Sequence, residues 1–252
     1  MNQLHLGYVP TRLIQRVVET KRTDCFRTFL ALKYFKPKLG YFYLNNHIVK
    51  EMVTKLNMTE RTFRNHLNKL KTYKYITTSG NGKYFVLGYS ILSNKEGIEI
   101  RGKRVEITWE IISNREKFRA FMIASIVGNM ILKFKYDVKR EDREKGRLLN
   151  SRYLRHSLLM KPVAASYLAC VLNISPTKAH TNLTLAVKYG FLSLAKDKKL
   201  LQMKPSEAKK LIRLRKNEDP YLFIKDGNTY SVAPNRYDVT LHYKRSRPLS
   251  KS

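Results

Sequence analysis

The sequence predicts a mainly helical chain with small β-hairpins, an α+β fold organised as two similar units in tandem. The first observation behind this is an ungapped internal match between residues 56–76, LNMTERTFRNHLNKLKTYKYI, and residues 172–192, LNISPTKAHTNLTLAVKYGFL. Leu56 aligns with Leu172, Asn57 with Asn173, Phe63 with Ala179, Leu67 with Leu183, Leu70 with Ala186 and Tyr73 with Tyr189. Each copy reads as the end of one helix, a tight turn and a second helix. The second observation is that each copy runs into a β-rich stretch broken by a polar tip, YITTSGNGKYFVLGY in the first and LSLAKDKKLLQM in the second.

Taken in order, the first element is a helix from Cys25 to Phe35, where Phe26, Phe29, Leu30 and Tyr34 recur at spacings of three and four and Pro37 with Gly40 closes the segment. An extended YFYL at 41–44 follows. The next helix carries Ile48, Met52, Val53 and Leu56 on one face, and Asn57 with Met58 makes the turn. Thr59 suits the N-cap of the third helix because its hydroxyl accepts from an otherwise unpaired backbone N–H. That helix runs to about Tyr73 with Phe63, Leu67 and Leu70 inward. Ser79, Gly80, Asn81 and Gly82 then supply the positive-φ conformations of a hairpin turn. Further β-rich segments at Ile98–Ile100 and Val105–Trp109 are expected to extend or cover this hairpin's sheet.

The second half opens with a long helix capped by Ser113, with Phe118, Phe121, Met122, Ser125, Ile126, Met130 and Ile131 near one side. The mixed but mostly basic stretch from Lys133 to Arg155 reads as the region between repeats. From Pro162 an Ala-rich helix leads to Leu172, Asn173 and Ile174 turn, and Ser175 caps a helix whose first position is Pro176, where a missing N–H is harmless. Gly190 falls where a left-handed C-terminal cap is expected. A basic amphipathic helix around Glu207–Lys216, a hairpin YLFIKDGNTYSV turning at Asp226-Gly227-Asn228, a last strand near Asp238–Tyr243 and a disordered cationic tail complete the chain. The expected domains are residues 1–112, the first unit with accessory strands, and residues 113–252, the second with its long leading helix, C-terminal hairpin and basic tail.

Composition restricts the partners. Fifty Lys and Arg against nineteen Asp and Glu give a formal net charge of +31 and a sequence pI near 10.2, a field that attracts a polyanion. With 43% apolar residues, sixteen Tyr and eleven Phe, the chain can still build ordinary cores. The longest greasy stretch, Ala120–Leu132, is broken by Ser125, Gly128 and Asn129 and is too short to cross a bilayer. No secretion signal is read at the N-terminus, so no membrane association is expected. Cys25 and Cys170 sit in apolar helical contexts and read as two free buried thiols in a reducing compartment.

Both units resemble winged helix-turn-helix domains, in residues 23–89 and 158–203. The tandem pair is similar in architecture to the two-winged-helix replication initiators of plasmids and related mobile elements, and is equally compatible with a transcription regulator. The resemblance implies a cytoplasmic, nucleoid-associated protein whose partner is double-stranded DNA. No cofactor is expected. With Phe63, Leu67 and Leu70 inward, the 100° step of a helix turns Arg61, Asn65, Asn68 and Lys69 outward, with Thr62 and Arg64 at the margins. Arg forks onto guanine and Asn pairs with adenine, each contact being worth about 1–3 kcal/mol of discrimination. In the second unit the outward set is Thr177, Thr181, Thr184 and Leu185, with Lys178, His180 and Lys188 near them. That face is less basic, and its apolar member leaves homodimerisation, or packing against the first unit, as the alternative to reading DNA.

Phosphate contacts are expected from Lys83 at the first wing, from Lys196, Lys198 and Lys199 at the second, and from Lys209, Lys210, Arg213, Arg215 and Lys216. If about 6 to 10 such groups neutralise phosphates, affinity falls by about 10³ to 10⁵ between 50 and 200 mM salt. Enzymatic readings are weaker. SGNGK at 79–83 lacks the full phosphate-loop pattern, since Tyr84 stands at the hydroxyl position. No zinc-ligand spacing and no His-x-His pair occur, His242 with Arg245 lacks a following tyrosine nucleophile, and the carboxylates are interleaved with Lys and Arg as in KREDREK. The sequence therefore predicts a binding protein and not an enzyme. Its rivals are a protein that coats or packages nucleic acid without sequence preference, and an RNA binder that stacks bases on tyrosines.

Overall fold

A computed structural model of the chain describes residues 5–35, 41–99, 102–144, 161–195, 198–201, 204, 206–207, 221–225, 228–232 and 235–245. The fold is mainly helical with small antiparallel sheets. The first unit contains α2 (Thr23–Phe35), β2 (Tyr41–Tyr43), α3 (Asn46–Leu56), α4 (Glu60–Thr72), β3 (Ile76–Thr78) and β4 (Lys83–Val86). The second contains α7 (Arg115–Glu144), β6 (Lys161–Pro162), α8 (Ala165–Leu172), α9 (Pro176–Lys188), β7 (Leu192–Ala195) and β11 (Arg236–Val239). Their sheets have the same plan. β4 lies between β2 and β3, and β11 lies between β6 and β7, all antiparallel.

The repeat extends to single residues. Asn57 and Asn173 both take the left-handed conformation at φ 45° and 51°, as a short polar side chain tolerates. Thr59 and Ser175 both accept the third backbone N–H of the helix they open, from Thr62 and Lys178. Leu56, Phe63, Leu67 and Leu70 are buried, as are Leu172, Ala179, Leu183 and Ala186. Gly190 ends α9 at φ 72°, with Phe191 N–H donating to Ala186 O. In the first copy Lys74 holds that same left-handed position at φ 56°, and Tyr75 N–H donates to Leu70 O.

Several expectations need correction. Residues 98–99 form no strand; they follow α5 (Tyr89–Lys95) and the left-handed Gly97, and residue 100 lies outside the described residues. The strand expected near 105–109 exists as β5 (Lys103–Thr108), but it leaves the first sheet and pairs with β1 (His5–Pro10) and β12 (Tyr243–Arg245). Val9, Val105 and Ile107 are buried there, which an edge on the first sheet would not provide. A helix α1 (Thr11–Glu19), unanticipated from the sequence, follows β1 and buries Leu13, Ile14, Val17 and Val18.

The cap of the long helix is Asn114, whose Oδ1 accepts from Lys117 N–H at 2.9 Å; Ser113 instead donates to Glu110 O at the end of α6 (Trp109–Ser113). α7 continues through the charged stretch to Glu144, so residues 133–144 are helix and not linker. It packs against α1 and α2 on one side and α9 and β11 on the other, within one continuous hydrophobic core.

The second wing is not a simple hairpin. β7 pairs with β11, while β8 (Lys198–Leu201) joins β10 (Asn228–Val232) and β9 (Tyr221–Lys225) in a separate sheet. β9 and β10 pair antiparallel as expected, with Lys225 opposite Asn228, while Asp226 and Gly227 of the expected turn lie outside the described residues. The single last strand expected at 238–243 is two strands, β11 and β12, in different sheets. Cys25 is buried as expected, but Cys170 is exposed on α8, contrary to expectation. Most of the expected helix at 207–216 and the tail beyond 245 lie outside the described residues. Among the described residues no helix is long and apolar enough to cross a membrane.

Candidate nucleic-acid interface

α4 is amphipathic because its apolar residues recur at spacings of four and three, which keeps Phe63, Leu67 and Leu70 on one side. That side packs on α2 and α3. The opposite side exposes Arg61, Asn65, Asn68 and Lys69, and none of these four side chains has a hydrogen-bond or ion-pair partner among the described residues. The two marginal residues are engaged. Arg64 donates through Nε to Glu60 Oε1 at 2.7 Å and forms an i,i+4 ion pair with it; both partners are about half exposed, so the pair is worth only a few tenths of a kcal/mol and yields readily to a phosphate. Thr62, half-buried, shares a hydroxyl contact of 2.9 Å with the capping Thr59.

His66 was not singled out in the sequence. Its Nδ1 lies 2.8 Å from Thr28 Oγ1, tying α4 to α2, and burial lowers its pKa below the ordinary value, so the ring is neutral at pH 7. A second tie, also unread in the sequence, runs to the β2–β4–β3 sheet: Lys71 Nζ donates to Tyr84 Oη at 3.2 Å and lies 4.7 Å from that ring's centroid. Lys71 thus links α4 to the β2–β4–β3 sheet. Lys83, expected as a loose phosphate contact, is half-buried with its ammonium 4.9 Å from the centroid of Tyr41 and 5.8 Å from that of Tyr43.

Arg27 holds the turn behind α4 in place. This arginine of α2 is 3% exposed, and it donates to Ile112 O at 2.6 Å, Leu56 O at 2.7 Å and Ser113 O at 2.5 Å. Those carbonyls end α3 and α6, where helices leave acceptors unpaired and where a cation is favoured. Burial draws its pKa down to about 10, which keeps it charged at neutrality.

On α9 the residues Thr177, Lys178, His180, Thr181 and Thr184 are all exposed. Two of the hydroxyls serve their own helix: Thr181 donates to Thr177 O at 2.9 Å and Thr184 to His180 O at 3.0 Å. Leu185, expected outward, is half-buried against the core. With Thr177, Lys178 and Thr181 it lines one wall of a cleft of about 630 Å³ whose other walls include Asp24, Arg115 and Arg119. This face thus looks across at α2 and α7. Asp24 binds both arginines, through Arg115 Nη2 at 2.6 Å and Arg119 Nη2 at 2.8 Å. Burial pushes its pKa up, but those hydrogen bonds and charges outweigh it and hold the carboxyl at about 2.

A second cleft, about 810 Å³, lies between the start of α1, the middle of α7 and the β11–β12 connection. Its lining includes Arg12, Lys103, Lys133, Lys135 and Lys244 and, among the described residues, no carboxylate, although Arg12 pairs with Glu99 and Lys135 with Asp238 beside it. It is a cationic concavity that no local motif announces. Lys198 and Lys199 lie on β8, which pairs with β10; Lys196, Lys209, Lys210, Arg213, Arg215 and Lys216 lie outside the described residues. Among the described residues no group of three or more His, Cys, Asp or Glu is placed to hold a metal ion. Compared with known proteins, the chain matches no family model, no curated protein and no solved structure.

Proposed function

We propose that the two units are tandem winged helix-turn-helix domains and that the chain binds double-stranded DNA, with α4 as the reading helix and the β2–β4–β3 sheet as its wing. The observation that carries this reading is the exposed row of Arg61, Asn65, Asn68 and Lys69, unpartnered within the described residues, on a helix whose other face is core, in a chain of net charge +31. Arg and Asn are the side chains that discriminate guanine and adenine in the major groove, and an amphipathic helix stabilised from behind can enter that groove. Lys83, the cationic cleft at α7 and the remaining basic surface supply phosphate contacts that hold register without reading sequence. Thr177, Lys178, Thr181 and Leu185 of α9 line the cleft toward α2 and α7, so this part of the second unit packs toward the first, while His180 and Thr184 remain exposed for contact with DNA. The biological settings that fit are regulation of transcription and initiation of replication on a mobile element.

Selection from a random duplex pool at physiological salt tests the reading. Enrichment of a defined site supports a reader; a pool that stays random after selection, with strong salt-dependent binding, supports a coating protein instead. Mapping of the occupied sites separates the two settings: iterated direct repeats beside an AT-rich tract fit an initiator, a single operator beside a promoter a regulator.

A further inference from the structure

We propose that the outer face of the β2–β4–β3 sheet is a stacking platform for an unpaired nucleic-acid strand. The two-residue period of a strand and the pairing of Tyr41 with Phe85 and Tyr43 with Lys83 place these four side chains on one face. Phe42, 2% exposed, and Tyr84 lie on the other, stacked at 5.2 Å. The outer rings are displayed: Tyr43 is 48% exposed and Phe85 37%. Tyr41 lies 6.0 Å from Tyr43 and 5.7 Å from Phe85, with interplanar angles of 88° and 49°, so the rings do not stack in parallel on one another, and the Lys83 ammonium lies near the faces of Tyr41 and Tyr43.

The chemistry of this face selects its occupant. No carboxylate lies on β2, β3 or β4, Thr77 opposite Phe85 is exposed, and Lys83 is the charge among the rings. The field of the whole chain favours a polyanion over an acid-poor protein surface. A duplex offers phosphates and base edges, its base faces being hidden in its own stack. An unpaired strand offers those faces, and adjacent aromatic rings with a cation are the features that bind it without sequence preference. Lys83 would leave the rings for the phosphate as the bases arrive. Because Lys71 links the sheet to α4, a duplex held by that helix and a strand separated from it would lie on adjoining surfaces. This second step, unlike the platform itself, rests on the duplex-binding reading above, and it favours a protein that opens DNA over one that only marks a site.

The test uses the full chain, a labelled oligo(dT) of about 20 nucleotides and a labelled duplex, read by fluorescence anisotropy. Y43A combined with F85A should weaken oligo(dT) binding at least about 20-fold, since each stacked ring contributes about 5- to 150-fold, and should weaken duplex binding much less, because a duplex hides its base faces. Y43F combined with F85Y should retain oligo(dT) binding because both keep a ring. Both positions are exposed, and circular dichroism checks that the variants fold. Unchanged oligo(dT) affinity in the alanine variant overturns the platform. So does sedimentation showing a wild-type dimer that the alanine variant abolishes, which would make this face a contact between copies. Ring-dependent oligo(dT) binding in a chain with no affinity for duplex leaves the platform standing and removes the α4 reading.

Discussion

Replacing Arg27 by Met removes a buried cation that three main-chain carbonyls share. Two of its hydrogen bonds, to Ile112 O and Leu56 O, are fully buried, and the third, to Ser113 O, is partly so. A buried acceptor left without a donor costs about 1–3 kcal/mol, so the two inner carbonyls set a loss of about 2–6 kcal/mol, with the third adding little because water can reach it. Methionine fills much of the volume, which keeps cavity cost out of the figure. A loss of that size is a large part of the about 5–15 kcal/mol that holds a domain together. Arg27→Lys keeps the charge but cannot fork between two helix ends, and should lose an intermediate amount. Urea denaturation followed by circular dichroism measures both. A loss below about 1 kcal/mol for Arg27→Met would refute the argument that this side chain holds the turn between α3 and α4.

Asp24→Asn should cost about 1–2 kcal/mol at pH 7, after allowance for the exposure of Arg115 and Arg119. The folded carboxyl titrates at about 2 against an ordinary 3.8, so this stability is present above pH 4 and lost as the pH falls through 2; denaturation curves of wild type and variant should converge there. Gly128→Ala, in the middle of α7, would gain helix propensity in isolation, but its new methyl would overlap the Tyr243 hydroxyl and lie 2.6 Å from Val239 Cγ2. A destabilisation of about 1–3 kcal/mol is expected in thermal melts, partly relieved by adding Tyr243→Phe. Lys74→Gly should stabilise the chain by about 0.5–1 kcal/mol, because relief of a left-handed non-glycine residue exceeds the entropy glycine loses, and Gly190→Ala should do the reverse; a stability loss in Lys74→Gly would contradict this.

What was legible in the sequence was local. Asn57 and Asn173, the caps Thr59 and Ser175, and the stripe Phe63, Leu67 and Leu70 all lie within a turn or two of their partners, so spacing alone finds them. What was illegible depends on distant pairing. β1 meets β5 nearly the whole first unit later, and β7 finds β11 only after the sheet of β8, β9 and β10 has intervened. The charged end of α7 resembled a linker because a helix with pairs such as Arg140 and Glu144 needs no apolar face. Arg27 gave no signal, since burial of a cation among carbonyls follows from where two other helices end. For the site, the 100° step sufficed to turn Arg61, Asn65 and Asn68 outward. The i,i+4 pairing of Glu60 with Arg64 was also written in the spacing, although it was not read from it, whereas the approach of Lys83 to Tyr41 and Tyr43 depends on the distant pairing of β2 with β4.

The central claim is that α4 reads bases, and the most direct test compares wild type with Arg61→Ala/Asn65→Ala on a selected duplex and on a random duplex at physiological salt. Two bidentate contacts at about 1–3 kcal/mol each predict that the ratio of the two affinities collapses by at least about 10-fold while binding to the random duplex changes little. Equal loss on both duplexes, or an unchanged ratio, would contradict it.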